Sequence, residues 1–329
     1  MVGPGYHRAM AELPGSPLRP RRDSFEIVPA VHTAFDPHGA VALEVVDQQA
    51  AFLARHGMQT VFVAGTTGEG LSLREGERAD LNAAWVEAGA KHGLRVWAHV
   101  GGNDLAAGAA LAEQAQAAGA HGIAALPPHF IKPGSVDELV AACAEIAAGA
   151  PELPFFYYDI PALSGVHLAT PAWMEGALER IPNLGGVKYT NPDLAGLQEC
   201  LRLAGEDRIV YYGNDESLLA GLALGAHGAV GSTYNFAAPL AQAVARAWQA
   251  SDLPAAQQWQ FRIVQLVRAI QRHNYLAINK SVLGMLGVEG LQAARVRRPL
   301  TSASDAAVAE LRADLEQLGF FGWLDEATA

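Results

Sequence analysis

From Phe25 onward, short apolar runs alternate with longer segments of helical period. The runs lie at 26–34, 60–66, 95–101, 122–127, 154–160, 185–190, 208–213 and 228–234, and are rich in β-branched and aromatic residues. They are almost continuously hydrophobic rather than alternating, which suits a parallel sheet covered on both faces. Between them lie Ala-, Leu- and Glu-rich stretches such as ALEVVDQQAAFLARHG, EGERADLNAAWVEAGAKHG and VDELVAACAEIAAGA, each predicting a helix. Eight β-then-α units predict a (β/α)8 barrel, a TIM-type α/β fold of typically ~250 residues, over 25–245. An open doubly wound sheet is the alternative, but no G-x-G-x-x-G follows the first run. Residues 246–329 carry helical period without strand character and predict a C-terminal helical extension. Residues 1–24 are rich in Pro and Gly and aperiodic, and are expected to form a flexible tail.

Composition narrows the class. Half of the 329 residues are hydrophobic and 17% are charged, enough apolar material for a sizeable core. The net charge of −11 disfavours a nucleic-acid partner, because phosphates would be repelled. Two cysteines, Cys143 and Cys200, support neither a disulfide framework nor a metal site, and the eleven histidines show no paired-ligand spacing. No apolar run is long enough to span a bilayer and no secretory h-region opens the chain, so a cytoplasmic protein is expected.

In such barrels chemistry sits at the C-terminal ends of the strands. The second run ends in Gly65-Thr66-Thr67-Gly68-Glu69-Gly70 and the fifth in Tyr158-Asp159-Ile160-Pro161. The sixth ends in Lys188-Tyr189-Thr190, the seventh in Gly213-Asn214-Asp215-Glu216, and the eighth in Gly231-Ser232-Thr233-Tyr234. Of four lysines, only Lys188 lies on a predicted barrel strand. It is either a solvated rim residue or, if buried, an uncharged amine able to attack a carbonyl. The GTTGEG segment is either a glycine-rich turn capping a helix or a cradle for a carboxylate or phosphate. Tyr158 is either a core aromatic or a proton carrier. Asp215 and Glu216 are either the acids of a helix N-terminus or acceptors for polyol hydroxyls.

Taken jointly, GTTGE, YDIPALSG (158–165), GVKYT (186–190) and GSTYN (231–235) resemble the N-acetylneuraminate lyase/dihydrodipicolinate synthase family of class I aldolases. The resemblance runs from about Ile27 to the C-terminal helices and includes Arg298-Pro299-Leu300. It implies a Schiff-base barrel, commonly a homotetramer, that binds a 2-oxo acid such as pyruvate without a metal or dissociable cofactor. IPALSG and YGNDE…GSTYN look like the sialic acid branch. Ala162-Leu163-Ser164-Gly165 stands where the synthase branch is expected to carry an arginine. By this likeness Lys188 is the Schiff-base lysine and Tyr158 the proton shuttle. Thr66 and Thr67 hold the 2-oxo acid carboxylate, with Thr66 joined to the proton relay. Thr190, Gly213, Asp215, Glu216 and Ser232 contact the sugar-derived chain. The implied reaction is cleavage of N-acetylneuraminate to pyruvate and N-acetylmannosamine. A 2-keto-3-deoxy sugar acid aldolase or dehydratase, or a non-catalytic 2-oxo-acid-binding barrel, shares most of these residues. Phe130 departs from the pattern: many members have at this point a tyrosine that reaches a neighbouring subunit's site.

Overall fold

The computed structural model describes residues 25–328; the expected N-terminal tail lies outside them. Eight strands form one parallel sheet: β1 (Glu26–Pro29), β2 (Thr60–Val63), β3 (Arg95–His99), β4 (Gly122–Ala125), β5 (Phe155–Asp159), β6 (Leu184–Tyr189), β7 (Ile209–Tyr212) and β8 (Gly228–Gly231). Neighbours run in the order β1-β8-β7-β6-β5-β4-β3-β2, and a parallel bridge between Ala30 and Phe62 brings β1 against β2. The result is the (β/α)8 barrel expected from the run spacing. The helices are α1 (Val45–Arg55), α2 (Glu75–His92), α3 (Leu105–Ala118), α4 (Val136–Ala148), α5 (Pro161–Ser164), α6 (Thr170–Arg180), α7 (Leu194–Ala204), α8 (Leu218–Leu224) and α9 (Tyr234–Gln249). Then come α10 (Leu253–Gln271), α11 (Tyr275–Met285), α12 (Asp305–Leu318) and α13 (Phe320–Thr328).

Local sequence explains the helix ends. The Asp104, Ser135 and Ser304 side chains accept from backbone N–H groups in the first turns of α3, α4 and α12. Gly119 and Gly319 end α3 and α12 in the left-handed conformation. The C-terminal helices pack onto α9 and α1, where Ile263, Leu266, Ile278 and Leu311 join Val45, Leu53 and Leu240 in one apolar cluster. Among the described residues no helix is long and apolar enough to cross a membrane.

Inside the barrel a separate cluster fills the lumen, with Val28, Phe62, Trp97, Phe156, Tyr158 and Tyr211 among its members. Trp97 stacks on Phe156 with ring centroids 4.3 Å apart and meets Tyr211 edge-on at 4.9 Å. Glycines make the space: a Cβ on Gly122 would lie 3.0 Å from the Trp97 ring, and one on Gly228 would lie 2.6 Å from the Tyr211 ring. At the N-terminal end Glu26 accepts from Thr60, Arg95 and Tyr211 and closes the lumen with a polar plug.

One irregularity determines what β6 presents. The pairing of β5 with β6 slips between Phe155 and Phe156, which face Leu184 and Gly186 respectively. The slip lets both Leu184 and Val187 point outward into the helix-facing core, although they are three residues apart. Lys188 then pairs with Tyr158. Gly186 sits at φ +147°, and a Cβ there would stand 1.8 Å from the Ile209 carbonyl oxygen, so only glycine builds this bulge.

Trp97→Ala should lower the unfolding free energy by about 3–5 kcal/mol, the range for losing a large buried aromatic. Urea denaturation at fixed pH measures it, and a loss below about 1 kcal/mol would mean that the lumen rings are not close-packed.

Candidate active site

Lys188 sits at the end of β6 with 5% of its surface exposed. Its Nζ lies 3.8 Å from the centroid of the Tyr158 ring and 4.1 Å from that of Phe62. Ring faces attract an ammonium, but only weakly compared with a lost hydration shell. Burial pulls the amine down to about 7, and the charge of Asp215 resists this only in part. The strand-borne lysine is therefore a buried amine and not a rim residue.

Tyr158, on β5, is buried, and burial pushes its phenol up to about 12 despite the hydroxyls of Thr66 and Thr190. Its hydroxyl lies 3.3 Å from Thr66 Oγ1. Gly213 permits the approach of Thr190, since a Cβ at residue 213 would stand 1.9 Å from Thr190 Oγ1. Thr66 and Thr67 occupy a turn after β2. Among the described residues the N–H groups of Thr66, Thr67 and Gly68 donate to no backbone carbonyl. Ala64 and Glu69 bracket this turn at φ +56° and +54°, left-handed positions that cost a side-chain-bearing residue about 1–2 kcal/mol each. Gly70 is required next, because a Cβ would stand 1.8 Å from the Ala64 carbonyl oxygen.

Asp215 is buried within electrostatic reach of the lysine. One of its oxygens accepts from the Thr233 N–H at 2.9 Å and the Thr233 hydroxyl at 2.7 Å, so it is already engaged within the fold. Burial raises it to about 6. Gly231 gives it room, as a Cβ there would stand 1.8 Å from Oδ1. Glu216 is half-buried at the rim, where its Oε1 accepts from Gln271 Nε2 at 3.4 Å. The Ser232 hydroxyl pairs with Tyr275 Oη at 2.7 Å. A cleft of about 160 Å³ opens onto Thr66 and His99 beside Glu69 and is walled by Ile160, Leu163 and Leu300; Lys188, Tyr158 and Thr67 are not among the residues that line it.

Several polar residues here escaped the sequence reading. His99 packs edge-on against Phe62 and Tyr158 and is held neutral by burial, with the charges of Arg78 and Lys188 adding to the effect. The Arg78 guanidinium donates to the His99 and Gly101 carbonyls at 2.8 and 3.0 Å. Burial takes His32 down to about 3. Lys280, buried in α11, pairs with Glu69 at 2.6 Å. Its one legible sign was a charge inside the apolar stretch AINKSVLGM. Among the described residues no group of three or more His, Cys, Asp or Glu side chains is arranged to hold a metal ion.

A parallel barrel carrying a desolvated amine at the C-terminal end of its sixth strand, beside a phenol and a hydroxyl-bearing turn, is the frame of a carbonyl-attacking enzyme. The family model described as the dihydrodipicolinate synthetase family matches residues 23–318, and the chain belongs to that family. It is 36% identical to N-acetylneuraminate lyase of Gallus gallus over 304 residues, 92% of this chain and 98% of that one. It is 34% identical to N-acetylneuraminate lyase of Homo sapiens over 93% of this chain and 96% of that one. Among solved structures, Proteus mirabilis N-acetylneuraminate lyase superposes with a TM-score of 0.86 at 32% identity, over 90% of this chain and 99% of that one.

Asp215→Asn removes the carboxylate that favours the Lys188 ammonium and keeps an oxygen for the Thr233 N–H. The pH at which Lys188 becomes half-reactive in reductive methylation, read by peptide mass spectrometry, should then fall below the wild-type value of about 7. A midpoint that rises would show that Asp215 does not support the charged form.

Proposed function

We propose that this chain is a Schiff-base lyase that cleaves N-acetylneuraminate to pyruvate and N-acetylmannosamine. The observation that carries the reading is the Lys188 amine in an apolar lumen against Tyr158, with a pKa near 7. Similarity to lyases over nearly the whole chain supports the choice of sugar acid.

In the open-chain substrate a ketone adjoins a carboxylate. Lys188 Nζ attacks the ketone carbon, the resulting carbinolamine loses water, and an iminium forms. The iminium is the electron sink, so no dissociable cofactor is called on. The bond between the two carbons beyond it breaks, and its electrons pass into the iminium to give an enamine. The departing carbon's hydroxyl loses its proton as its C–O becomes C=O. Tyr158 is the acceptor. A phenol with a pKa of about 12 takes up a proton only as it releases its own. The Thr66 hydroxyl and the substrate carboxylate are the partners for that relay. Protonation of the enamine carbon and hydrolysis then free pyruvate and Lys188. Thr66, Thr67 and the turn's N–H groups hold the carboxylate. Thr190, Gly213, Asp215, Glu216 and Ser232 receive the polyol and acetamido end.

The same reading takes the molecule as a cytoplasmic homotetramer. Phe130, Ile131 and Leu163 are large apolar side chains exposed on the surface, in keeping with subunit contacts. Cys143 and Cys200 are free thiols, in keeping with a reducing compartment. It also keeps the division at residue 245 between the barrel and its C-terminal helical extension.

Pyruvate with borohydride should add one reduced adduct, located at Lys188 by peptide mass spectrometry. The rate should climb with pH to a plateau above about 7, because only the neutral amine attacks. A midpoint near that of an ordinary lysine, or labelling undiminished in Lys188→Ala, removes the Schiff-base assignment.

Tyr158→Phe preserves the ring and deletes the proton acceptor. The kcat for N-acetylneuraminate should drop by ~10²–10⁴-fold with adduct formation retained, the usual share of a general acid–base group. Activity within about threefold of wild type would assign the proton to another group. A wild type that ignores N-acetylneuraminate but turns over a short 2-keto-3-deoxy acid would shift the substrate assignment.

A further inference from the structure

Three distant segments of the chain meet at Glu69, two residues past the Thr66–Thr67 pair. Its Oε1 accepts from Lys280 Nζ at 2.6 Å and its Oε2 from the Arg297 N–H at 2.9 Å. Lys280 Nζ also donates to the Thr33 carbonyl at 2.9 Å and the Arg295 carbonyl at 2.7 Å. Thr33 in turn donates its hydroxyl to the Gly68 carbonyl at 2.6 Å. The Arg297 guanidinium continues outward to Glu77 and the Gly39 carbonyl. Glu69 and Lys280 are both nearly free of solvent contact. Each ammonium hydrogen of Lys280 thus has an acceptor, and the amine is committed to holding structure.

The placement has two physical consequences. The turn that carries Thr66 and Thr67 is bracketed by two left-handed residues, a conformation that persists only if its surroundings hold it. Glu69 also belongs to the wall of the cleft that Thr66 lines, with its carboxylate buried beneath the surface. Unpaired, that negative charge would oppose an anion entering the cleft; paired with Lys280, the wall is neutral. A buried ion pair is a weak device for stability, because apolar side chains of similar volume often serve as well. An apolar pair could not replace the hydrogen bonds by which Lys280 and Glu69 tie the turn to the Thr33 and Arg295 carbonyls and the Arg297 N–H.

We propose that Lys280 and Glu69 are positioning residues that hold the Thr66–Thr67 turn in shape and neutralise the cleft wall, so that the cleft receives a carboxylate. The proposal rests on the Schiff-base reading above. It gives the C-terminal helices, through α11, a part in substrate binding.

The test compares pyruvate with methyl pyruvate, which offers Lys188 the same ketone without the negative charge. Half-saturation of borohydride trapping is measured for both in wild type, Lys280→Met and the neutral double variant Glu69→Gln/Lys280→Met, with folding followed by circular dichroism. In Lys280→Met the half-saturating pyruvate concentration should rise at least tenfold and that of methyl pyruvate less than threefold. The double variant carries no uncompensated buried charge, so it supplies the reading should Lys280→Met fail to fold. It should recover part of the preference for pyruvate yet stay at least threefold below wild type, because the clamp on the turn is gone. Equal shifts for both probes in Lys280→Met, or a wild-type preference in the double variant, overturn the proposal and leave a merely structural pair. Failure of wild type to label at Lys188 removes the Schiff-base reading and this proposal with it.

Discussion

The site depends on the removal of water from around one amine. Closing eight strands into a barrel turns one face of every strand inward, and side chains fill the space that results. Lys188 projects onto two aromatic faces, with one carboxylate within electrostatic reach. Three influences compete there. Ring quadrupoles and Asp215 favour the ammonium, and desolvation favours the amine. The net fall from the ordinary value of 10.5 to about 7 corresponds to about 5 kcal/mol at 1.36 kcal/mol per pKa unit, so desolvation wins. The bulge at Gly185-Gly186 makes this possible by sending Leu184 and Val187 outward and Lys188 inward.

Around that dry floor the polar groups are graded by depth. Asp215 is deep and tied to Thr233, so its charge is fixed in space and its remaining oxygen faces Gly231. Glu216, its neighbour in sequence, lies half-buried at the rim and accepts from the end of Gln271. The two carboxylates are thus unlike in what they can offer: one is a buried charge near the lysine with a single oxygen not held by Thr233, the other an acceptor at the mouth. Glycines at 213 and 231 allow this, because a methyl group at either would displace Thr190 or Asp215.

The helices after the barrel are bound into this arrangement at several points. Tyr275 reaches Ser232, Gln260 donates to the Asp215 carbonyl, and Lys280 reaches Glu69. They pack into the same apolar cluster as α1 and α9. A change in that packing would be felt at strand ends far away in sequence, since packed interiors transmit displacement poorly damped.

Sequence alone determined the eight strands and their order in the chain, because buried parallel strands read as apolar runs and their connecting helices as 3.6-residue period. It also singled out Lys188, because a charged residue on an apolar strand end is conspicuous. It picked out the glycine-rich turn after the second strand but left it open between a helix cap and an anion cradle. What it left open was depth and pairing. Whether Lys188 was a rim cation or a desolvated amine turned on a one-residue slip in β-pairing that periodicity does not report. That Asp215 is engaged by Thr233 and lies near Lys188, while the adjacent Glu216 is at the rim, follows from the 3₁₀ turn at Asp215–Ser217 meeting the end of β8. The Glu69–Lys280 pair joins residues 211 positions apart, and nothing local marks either as the other's partner. Element type is written in short-range pattern, whereas the neutralisation of a buried charge depends on which distant side chain the closed barrel brings beside it.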